Sequence, residues 1–369
     1  MAPPPPLTPS VILILLATFL AAAVACPPAD LAALQTFKSA LTDPYLGLFD
    51  TWTGSNCSAY FGVSCDPATS RVTEINLRGE SEDPILTKAG RTSGYMTGTI
   101  SPAICKLDQL TTLIIADWKG LSGQIPDCVS SLSNLRVLDL VGNSLSGQIP
   151  SQIGNLNRLA VLNLADNRIS GEIPESISKL ESLKHLDLSN NQISGRIPND
   201  FGNMKMLSRA LLGRNQLAGP VPNSMSNMYR LADLDVSMNQ ISGGLPGWLG
   251  DLPVLSTLNL DSNAIGGEIP AKLLGSRGLG IMNLSRNALE GEIPDAFGPE
   301  SYFMVLDLSY NNLKGKLPGS LSSAAYVGHL DFSHNHLCGS IPAGEPFEKF
   351  DSASFGFNDC LCGNPLSTC

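Results

Sequence analysis

Apolar and polar positions follow one unit that recurs along most of the chain. The segments VLDLVGNSLSGQIP, VLNLADNRISGEIP and HLDLSNNQISGRIP carry it in register, and an Asn returns every 24 residues from Asn143 to Asn335. Self-similarity at a fixed period of this length is typical of a solenoid, in which each coil buries its apolar face against its neighbours. The 369 residues therefore predict one α/β solenoid and not two globular domains.

Each position of the unit L-x-x-L-x-x-L-x-L-x-x-N-x-L-x-G-x-I-P has a physical role. The L-x-L segment presents apolar side chains to one face and polar ones to the other, which predicts a short strand that pairs in parallel with the next coil. The Asn amide can satisfy buried backbone groups of the turn. In G-x-I-P, Gly permits a tight turn and Pro ends a second short strand.

Both ends of the repeat carry segments that suit caps, which a solenoid needs because an end coil exposes the core. Residues 30–55 have helical apolar spacing followed by a Trp, and the chain closes with LCGSIPAGEPFEKFDSASFGFNDCLCGNPLSTC. Repeat and caps resemble the plant extracellular leucine-rich-repeat class. The resemblance implies a right-handed superhelix with a parallel concave β-sheet and disulfide-bonded caps. It places the N-terminal cap at 26–70, about 11 repeats at 71–342 and the C-terminal cap at 343–369.

The N-terminus reads as a leader. The apolar run from Val11 to Ala25 has the length of a signal-peptide core and is too short to span a membrane, although the usual basic residues ahead of it are missing. We therefore predict a cleaved signal peptide at residues 1–25 and no membrane span. The nine cysteines cluster at the two ends, which favours an oxidising compartment. We expect a secreted protein of the extracellular space, apoplast or cell wall.

The C-terminal cysteines match the cap of the same class at all four positions. The resemblance implies the pairs Cys338–Cys360 and Cys362–Cys369.

The N-terminal cysteines leave alternatives open. The class normally has adjacent cysteines in this cap, but here Cys57 stands between Asn and Ser, so it pairs with either Cys26 or Cys65. Cys105 and Cys128 lie on adjacent coils at nearly the same register. They form a bridge if their Cβ atoms approach to about 4 Å, and are otherwise two buried thiols.

Two N-x-S/T sequons are candidate glycosylation sites. They begin at Asn56 and Asn283, and each is either glycosylated or unused.

Two departures from the repeat lie near the N-terminal end. The interval between VTEINL and Gly98 is longer than in later coils, which predicts a projecting loop near residues 80–94. The next coil reads LIIADWKGLSGQIP, with Trp118 in the region of the repeated Asn. Trp118 is either an exposed aromatic anchor for a partner or a side chain packed under the inserted loop.

A third departure lies in the central coils. Leu211 interrupts a column of Asp and Asn between the two apolar strand positions, and the same coil projects Arg209 and Arg214 from the concave face. A basic patch within an acidic face suits recognition, whereas the alternative is a set of cross-strand ion pairs on a common L-D-L-S framework. The candidate ligand-binding residues are Arg209, Arg214, Asp187, Asp235, His185 and Trp118.

Candidate chemistry is sparse. Ser and Asp recur at repeat positions, so their abundance carries no catalytic signal, and we expect neither an enzyme nor a cofactor. HLDFSHNH offers three histidines, which we interpret as solvent-facing and not as a zinc site. The net charge of −10, the pI near 4.9 and the lack of a G-x-x-x-x-G-K-[ST] phosphate loop argue against direct nucleic-acid binding.

Several segments together resemble a narrower group, the plant DNA-damage-repair/toleration leucine-rich-repeat proteins of the toleration-protein-100-like type. They include LRGESEDPI, KAGRTSGYMTG, IADWKG, LSRNALEG and SSAAYVGHLDFSHNHLCG. More distantly, repeat and caps are similar to polygalacturonase inhibitors and receptor-kinase ectodomains. The resemblance implies a monomer that binds a protein, peptide or cell-wall partner, such as a receptor kinase or a microbial wall-degrading enzyme, in defence, stress or DNA-damage-toleration responses. The alternatives are a polygalacturonase inhibitor and an indirect role in DNA-damage repair.

Overall fold

A computed structural model describes residues 25–79 and 95–369. The predicted signal peptide up to residue 24 and the predicted projecting loop at 80–94 lie outside the described residues. No helix within the described ranges combines the length and apolar character that crossing a membrane requires.

The described coils form a right-handed solenoid with two long sheets, and strands are numbered along the chain. The concave sheet has 12 strands: β2 Val63–Cys65, β3 Val72–Arg78, β5 Thr112–Ala116, β7 Val137–Asp139, β9 Val161–Asn163, β11 His185–Asp187, β13 Arg209–Leu211, β15 Asp233–Asp235, β17 Thr257–Asn259, β19 Ile281–Asn283, β21 Tyr302–Asp307 and β23 Tyr326–Asp331. The flank sheet has 13: β1 Leu41–Thr42, β4 Thr97–Thr99, β6 Gly120–Gln124, β8 Ser144–Gly147, β10 Arg168–Glu172, β12 Gln192–Arg196, β14 Gln216–Gly219, β16 Gln240–Gly244, β18 Ala264–Gly267, β20 Ala288–Glu292, β22 Asn312–Gly315, β24 His336–Ser340 and β25 Cys360–Cys362.

In most repeats a short helical segment connects a strand of the flank sheet to the next strand of the concave sheet, and further helical segments lie in the two caps. The α-helices are α1 Pro28–Ser39 and α2 Ala271–Leu274. The 3₁₀ turns are Cys57–Ala59, Pro102–Lys106, Asp127–Ser131, Ile153–Asn155, Glu175–Lys179, Phe201–Asn203, Asn223–Asn227, Gly247–Asp251, Gly319–Ser323, Phe347–Lys349 and Ser352–Phe355. Turns this short suit a coil of 24 residues, because each has only a few positions between its strands.

The predicted parallel pairing is confirmed in the repeats. Adjacent concave strands pair in register, so that Leu186 faces Ala210, and both side chains are fully buried. The strands β1 and β2 differ, because they pair antiparallel with β4 and β3 and belong to the N-terminal cap. The apolar positions of successive coils form one continuous core.

The repeated Asn forms the predicted ladder. The Oδ1 atom of Asn311 accepts from the Leu289 amide of the preceding coil at 3.0 Å. Its Nδ2 donates to the carbonyls of Leu284 in that preceding coil and of Leu308 and Ser309 in its own coil, each at 3.1 Å. Asn311 is only 6% exposed, so its side chain satisfies backbone groups that are buried with it.

A buried charge anchors the N-terminal cap to the first coil. Asp30 in α1 is fully buried, and its Oδ2 accepts from Arg71 Nε at 3.0 Å and from the Val72 amide at 2.9 Å. A carboxylate with these partners ties the cap helix to the strand β3.

The cysteines form four bridges. At the C-terminal cap the structure joins Cys338 to Cys360 and Cys362 to Cys369, and on adjacent coils it joins Cys105 to Cys128. At the N-terminal cap, where two pairings were open, it joins Cys26 to Cys57 and leaves Cys65 as a half-buried free thiol.

Candidate binding surface on the concave face

The centre of the concave face places two of the predicted binding residues, His185 and Arg209, in one row with Asp233. His185, Arg209 and Asp233 are register partners on β11, β13 and β15. Arg209 Nε donates to Asp233 Oδ2 at 2.9 Å, so the predicted cross-strand ion pair is present, while the Arg209 side chain stays 51% exposed. Burial, and next the Arg209 cation, lower the pKa of His185 against the raising effect of nearby carboxylates including Asp187. Protonation of His185 is therefore less favourable beside the exposed Arg209 guanidinium.

The next row places an apolar side chain between two carboxylates. Leu211 is half-buried and faces Asp187 on one side and Asp235 on the other. Asp187 Oδ1 accepts from the Ser189 amide at 3.0 Å and its hydroxyl at 2.6 Å, and Asp235 Oδ1 accepts from the Ser237 amide at 2.8 Å. Each carboxylate is thus held by its own turn, and Leu211 forms an apolar step between them.

The turns that follow strands β13 and β15 carry two further exposed side chains, Arg214 and Met238. Arg214 is exposed and has a left-handed backbone with φ of 56°. Met238, at the same place in the next coil, has φ of 52° and is 43% exposed. Sequence reasoning missed Met238, although its position directly before the repeated Asn239, in line with Arg214, was visible.

We call these residues the central patch: His185, Asp187, Arg209, Leu211, Arg214, Asp233, Asp235 and Met238. Two cations and two apolar side chains here lie among three carboxylates. The arrangement suits non-covalent recognition.

Acidic side chains border the central patch. Burial raises the pKa of Asp261, the Asp235 and Asp307 carboxylates raise it further, and hydrogen bonding from Ser262 and the Arg214 cation oppose the rise. The Ser262 hydroxyl donates to Asp261 Oδ2 at 2.9 Å. The ionised Asp261 carboxylate is therefore less favourable in the folded chain than in the unfolded one.

We expect Asp261→Asn to raise the melting temperature at pH 7 by roughly 1 °C. A raised folded-state pKa stabilises the fold at low pH, and that contribution is lost as pH rises through the folded value. The gain of the variant should accordingly disappear below about pH 3.8, the ordinary value, where the wild-type carboxyl is protonated in both states. Calorimetry across pH checks this, with Glu181→Gln, an exposed carboxylate of another coil, as the control. A gain that is equally large at pH 3 would contradict the assignment.

The interpretation of Trp118 as an exposed anchor is wrong. Its side chain is fully buried, and the indole Nε1 donates to the Leu77 carbonyl at 2.9 Å. Its amide donates to Asn143 Oδ1 at 3.0 Å, and Gly79 lies so close to the ring that a Cβ there would be 2.7 Å from it. Trp118 is a core residue and cannot contact a partner.

The two sequons stand in different surroundings. Asn56 caps a 3₁₀ turn, where its Oδ1 accepts from the Ser58 amide at 3.2 Å. Asn283 lies on β19 in the concave sheet, and its Oδ1 accepts from the Ser285 hydroxyl at 2.7 Å. Glycosylation at each site stays a prediction, and a glycan on Asn283 would occupy the concave face beyond the central patch.

The three histidines of HLDFSHNH do not converge. The ring of His334 stacks between two aromatic rings, and His336 Nδ1 lies 3.1 Å from Asp359 Oδ1. Within residues 25–79 and 95–369, no grouping of three His, Cys, Asp or Glu side chains could hold a metal ion.

Comparisons with known proteins agree with this architecture. The family model described as "Leucine-rich repeat region" matches residues 94–278, and that described as "Leucine rich repeat N-terminal domain" matches residues 27–66. The chain is 57% identical over 120 residues to the DNA damage-repair/toleration protein DRT100 of Arabidopsis thaliana, and 33% identical over 122 residues to polygalacturonase inhibitor 1 of Oryza sativa subsp. japonica. Each match spans 32% of this chain and 32% of the relative. The resemblances predicted from the sequence are confirmed.

A solved structure extends the likeness to most of the chain. The leucine-rich-repeat ectodomain of the plant membrane receptor kinase GASSHO1/SCHENGEN3 from Arabidopsis thaliana, in complex with Casparian strip integrity factor 2, superposes with a TM-score of 0.71 at 28% identity. The match covers 91% of this chain and 44% of that one.

Proposed function

Because the chain belongs to the leucine-rich-repeat family, we propose that it is a secreted protein that binds a protein or peptide partner through the central patch of its concave face. The observation that carries the proposal is the local reversal of charge at Arg209 and Arg214 within an acidic face, next to the apolar Leu211 and Met238. Arg and Met are enriched in interfaces, and complementary charge gives specificity. The patch suits an acidic group that is flanked by apolar side chains.

The ion pair between Arg209 and Asp233 does not remove the arginine from this role. An exposed pair of this kind contributes about 0.2–1 kcal/mol, so a carboxylate of a partner can compete for the guanidinium. The pair also holds the side chain in place, which lowers the entropy lost on binding. Secretion is supported by the four disulfides, since such bridges persist in oxidising compartments.

We expect Arg209→Glu/Arg214→Glu to weaken partner binding by about tenfold or more, because it replaces both cations with charges that repel an acidic ligand. The secreted protein captures partners from an apoplastic extract, and titration with a captured partner then measures Kd. The matched control is Arg168→Glu/Arg196→Glu, which reverses two exposed arginines of the flank sheet. Thermal unfolding of all variants verifies the fold. If the same partners bind both variants equally, the arginines are framework and the proposal fails.

A second candidate is inhibition of a polygalacturonase, which the match to the rice inhibitor favours. An inhibitor causes stoichiometric loss of polygalacturonase activity without turnover. A signalling or wall-associated binder causes no such loss.

The response in which the protein acts is part of the proposal, whether defence, stress or DNA-damage toleration. The similar Arabidopsis protein is named for DNA damage repair and toleration. With a net charge of −10 this chain suits an indirect role, since direct DNA binding would need a basic surface and would weaken steeply with salt.

A further inference from the structure

Exposed apolar side chains concentrate at the C-terminal end of the solenoid. Ten large apolar side chains of the described residues are at least 40% exposed, and half of them lie in the last two coils and the cap. These are Tyr302, Met304, Tyr310, Tyr326 and Phe357. Single exposed apolar residues are ordinary on a protein surface, but a cluster marks an interaction site.

Four of the side chains at this end form a continuous stack, which we call the aromatic ladder. The Arg286 guanidinium lies 4.1 Å from the centre of the Tyr310 ring. Tyr310 stacks on His334 with centroids 3.9 Å apart, and His334 stacks on Phe357 at 4.2 Å. All four residues have φ between 53° and 56°, because they occupy the turn position directly before a repeated Asn or, for Phe357, before Asn358, which makes the equivalent bonds in the cap. The coil spacing therefore sets the stacking distance.

A second pair of rings lies at the other end of the same concave strands. Tyr302 and Tyr326 begin β21 and β23 and stack with centroids 4.9 Å apart. Between this pair and the aromatic ladder lie the carboxylates of Asp307 and Asp331, which are register partners. Aromatic rings thus border an acidic strip on both sides.

The aromatic ladder ends with an open ring face. Phe357 is 77% exposed although His334 covers one of its faces, so the other face meets solvent. Two residues further on, Asp359 lies against His336, with its side chain 61% exposed. At the opposite end of the aromatic ladder, the guanidinium of Arg286 already stacks on a ring, that of Tyr310. A guanidinium can stack on a ring face and donate to a nearby carboxylate at the same time.

We propose that the aromatic ladder and Asp359 form a second docking surface, which takes an arginine of a protein partner onto the outer face of Phe357. The carboxylates of Asp307, Asp331 and Asp359 favour a cationic segment. A sugar ring fits less well, because the other rings lie face to face and offer mainly edges. This surface goes beyond the proposed function, since its charge is opposite to that of the central patch.

The test uses three labelled hexapeptides, acetylated and amidated: ARYARY, AKYAKY and AEYAEY. Fluorescence anisotropy measures their binding to the secreted protein. We expect the arginine peptide to bind about threefold more tightly than the lysine peptide, since the planar guanidinium stacks on a ring face and an ammonium does not. The glutamate peptide should not bind measurably.

Phe357→Ala should abolish the preference for arginine over lysine, and Asp359→Asn should weaken both cationic peptides. The control is Tyr229→Ala, which removes a ring that is 50% exposed but lies outside the ladder. Arg209→Gln/Arg214→Gln should retain the preference for arginine over lysine, which separates this surface from the central patch. Thermal unfolding verifies each variant.

Equal affinity for the arginine and lysine peptides, or an unchanged preference in Phe357→Ala, overturns the proposal. Saturable binding of cellohexaose that Phe357→Ala removes would identify a sugar platform and overturn it as well.

Discussion

Replacing Trp118 with alanine is expected to lower the free energy of unfolding by about 3–5 kcal/mol. The side chain is fully buried, so its removal leaves a large cavity between the first two coils. It also leaves the Leu77 carbonyl without the indole donor that it now accepts at 2.9 Å. Denaturant unfolding of the secreted protein, with a constant slope between variants, measures the loss.

The control for this variant is Trp248→Ala. Trp248 is half-buried, and its Nε1 reaches Asn223 Oδ1 only at 3.4 Å, so its loss should cost clearly less. Equal destabilisation by the two variants, or a loss below about 1 kcal/mol for Trp118→Ala, would show that Trp118 is not a core residue.

Arg71→Ala is expected to cost about 3 kcal/mol, because it leaves the fully buried Asp30 carboxylate without its cation. The amide of Val72 would remain as a donor, but one neutral hydrogen bond does not replace a charged partner. The loss should appear as early unfolding of the N-terminal cap. Hydrogen exchange of α1 together with denaturant unfolding measures both quantities.

Two comparisons make this result specific. Lys272→Ala breaks the exposed pair with Asp251 and should change stability by no more than about 0.5 kcal/mol. Combining Arg71→Ala with Asp30→Asn should recover part of the loss, since the amide carries no charge and can still accept from Val72. If the double variant is less stable than Arg71→Ala, the unpaired charge is not the cause.

The repeat itself could be predicted because successive coils need the same residue types at the same positions. The Asn from 143 to 335 recurs where a turn has unpaired backbone groups, and the apolar positions recur where strands face the core. Both inferences depend only on contacts within one coil or between adjacent coils. The period therefore predicted the two sheets, their parallel pairing and the ladder.

Whether the Trp118 side chain faces the core or the solvent could not be predicted from the repeat. The repeat pattern predicts the direction of a side chain only where a coil follows it, and the coil of Trp118 does not. The backbone of Asp117 turns with φ of 64°, and the indole enters the core where the repeat has no side chain of that size. Only the packing around Leu77 and Gly79 reveals this.

The candidate binding surfaces were predicted in part. Arg209 and Leu211 followed from strand alternation, but Met238 and Phe357 lie in turns. Their direction depends on a positive φ, which a sequence motif indicates mainly for Gly and Asn. Aligning the residue before each repeated Asn would have found Met238, as it also yields Arg214, Tyr310 and His334, whereas Phe357 precedes Asn358 and lies outside the 24-residue period.

Because each coil from Asn143 to Asn335 supplies its own Asn of the hydrogen-bonded ladder, the chain can change in length by whole coils while the Asn bonds and the strand pairing are kept. Duplication or loss of one unit of 24 residues between Asn239 and Asn287 would preserve each Asn bond and each strand register. It would shift the aromatic ladder relative to the central patch by one strand spacing, about 4.8 Å. Gain or loss of repeat units can therefore change the distance between the two recognition surfaces in fixed steps, while each surface stays intact.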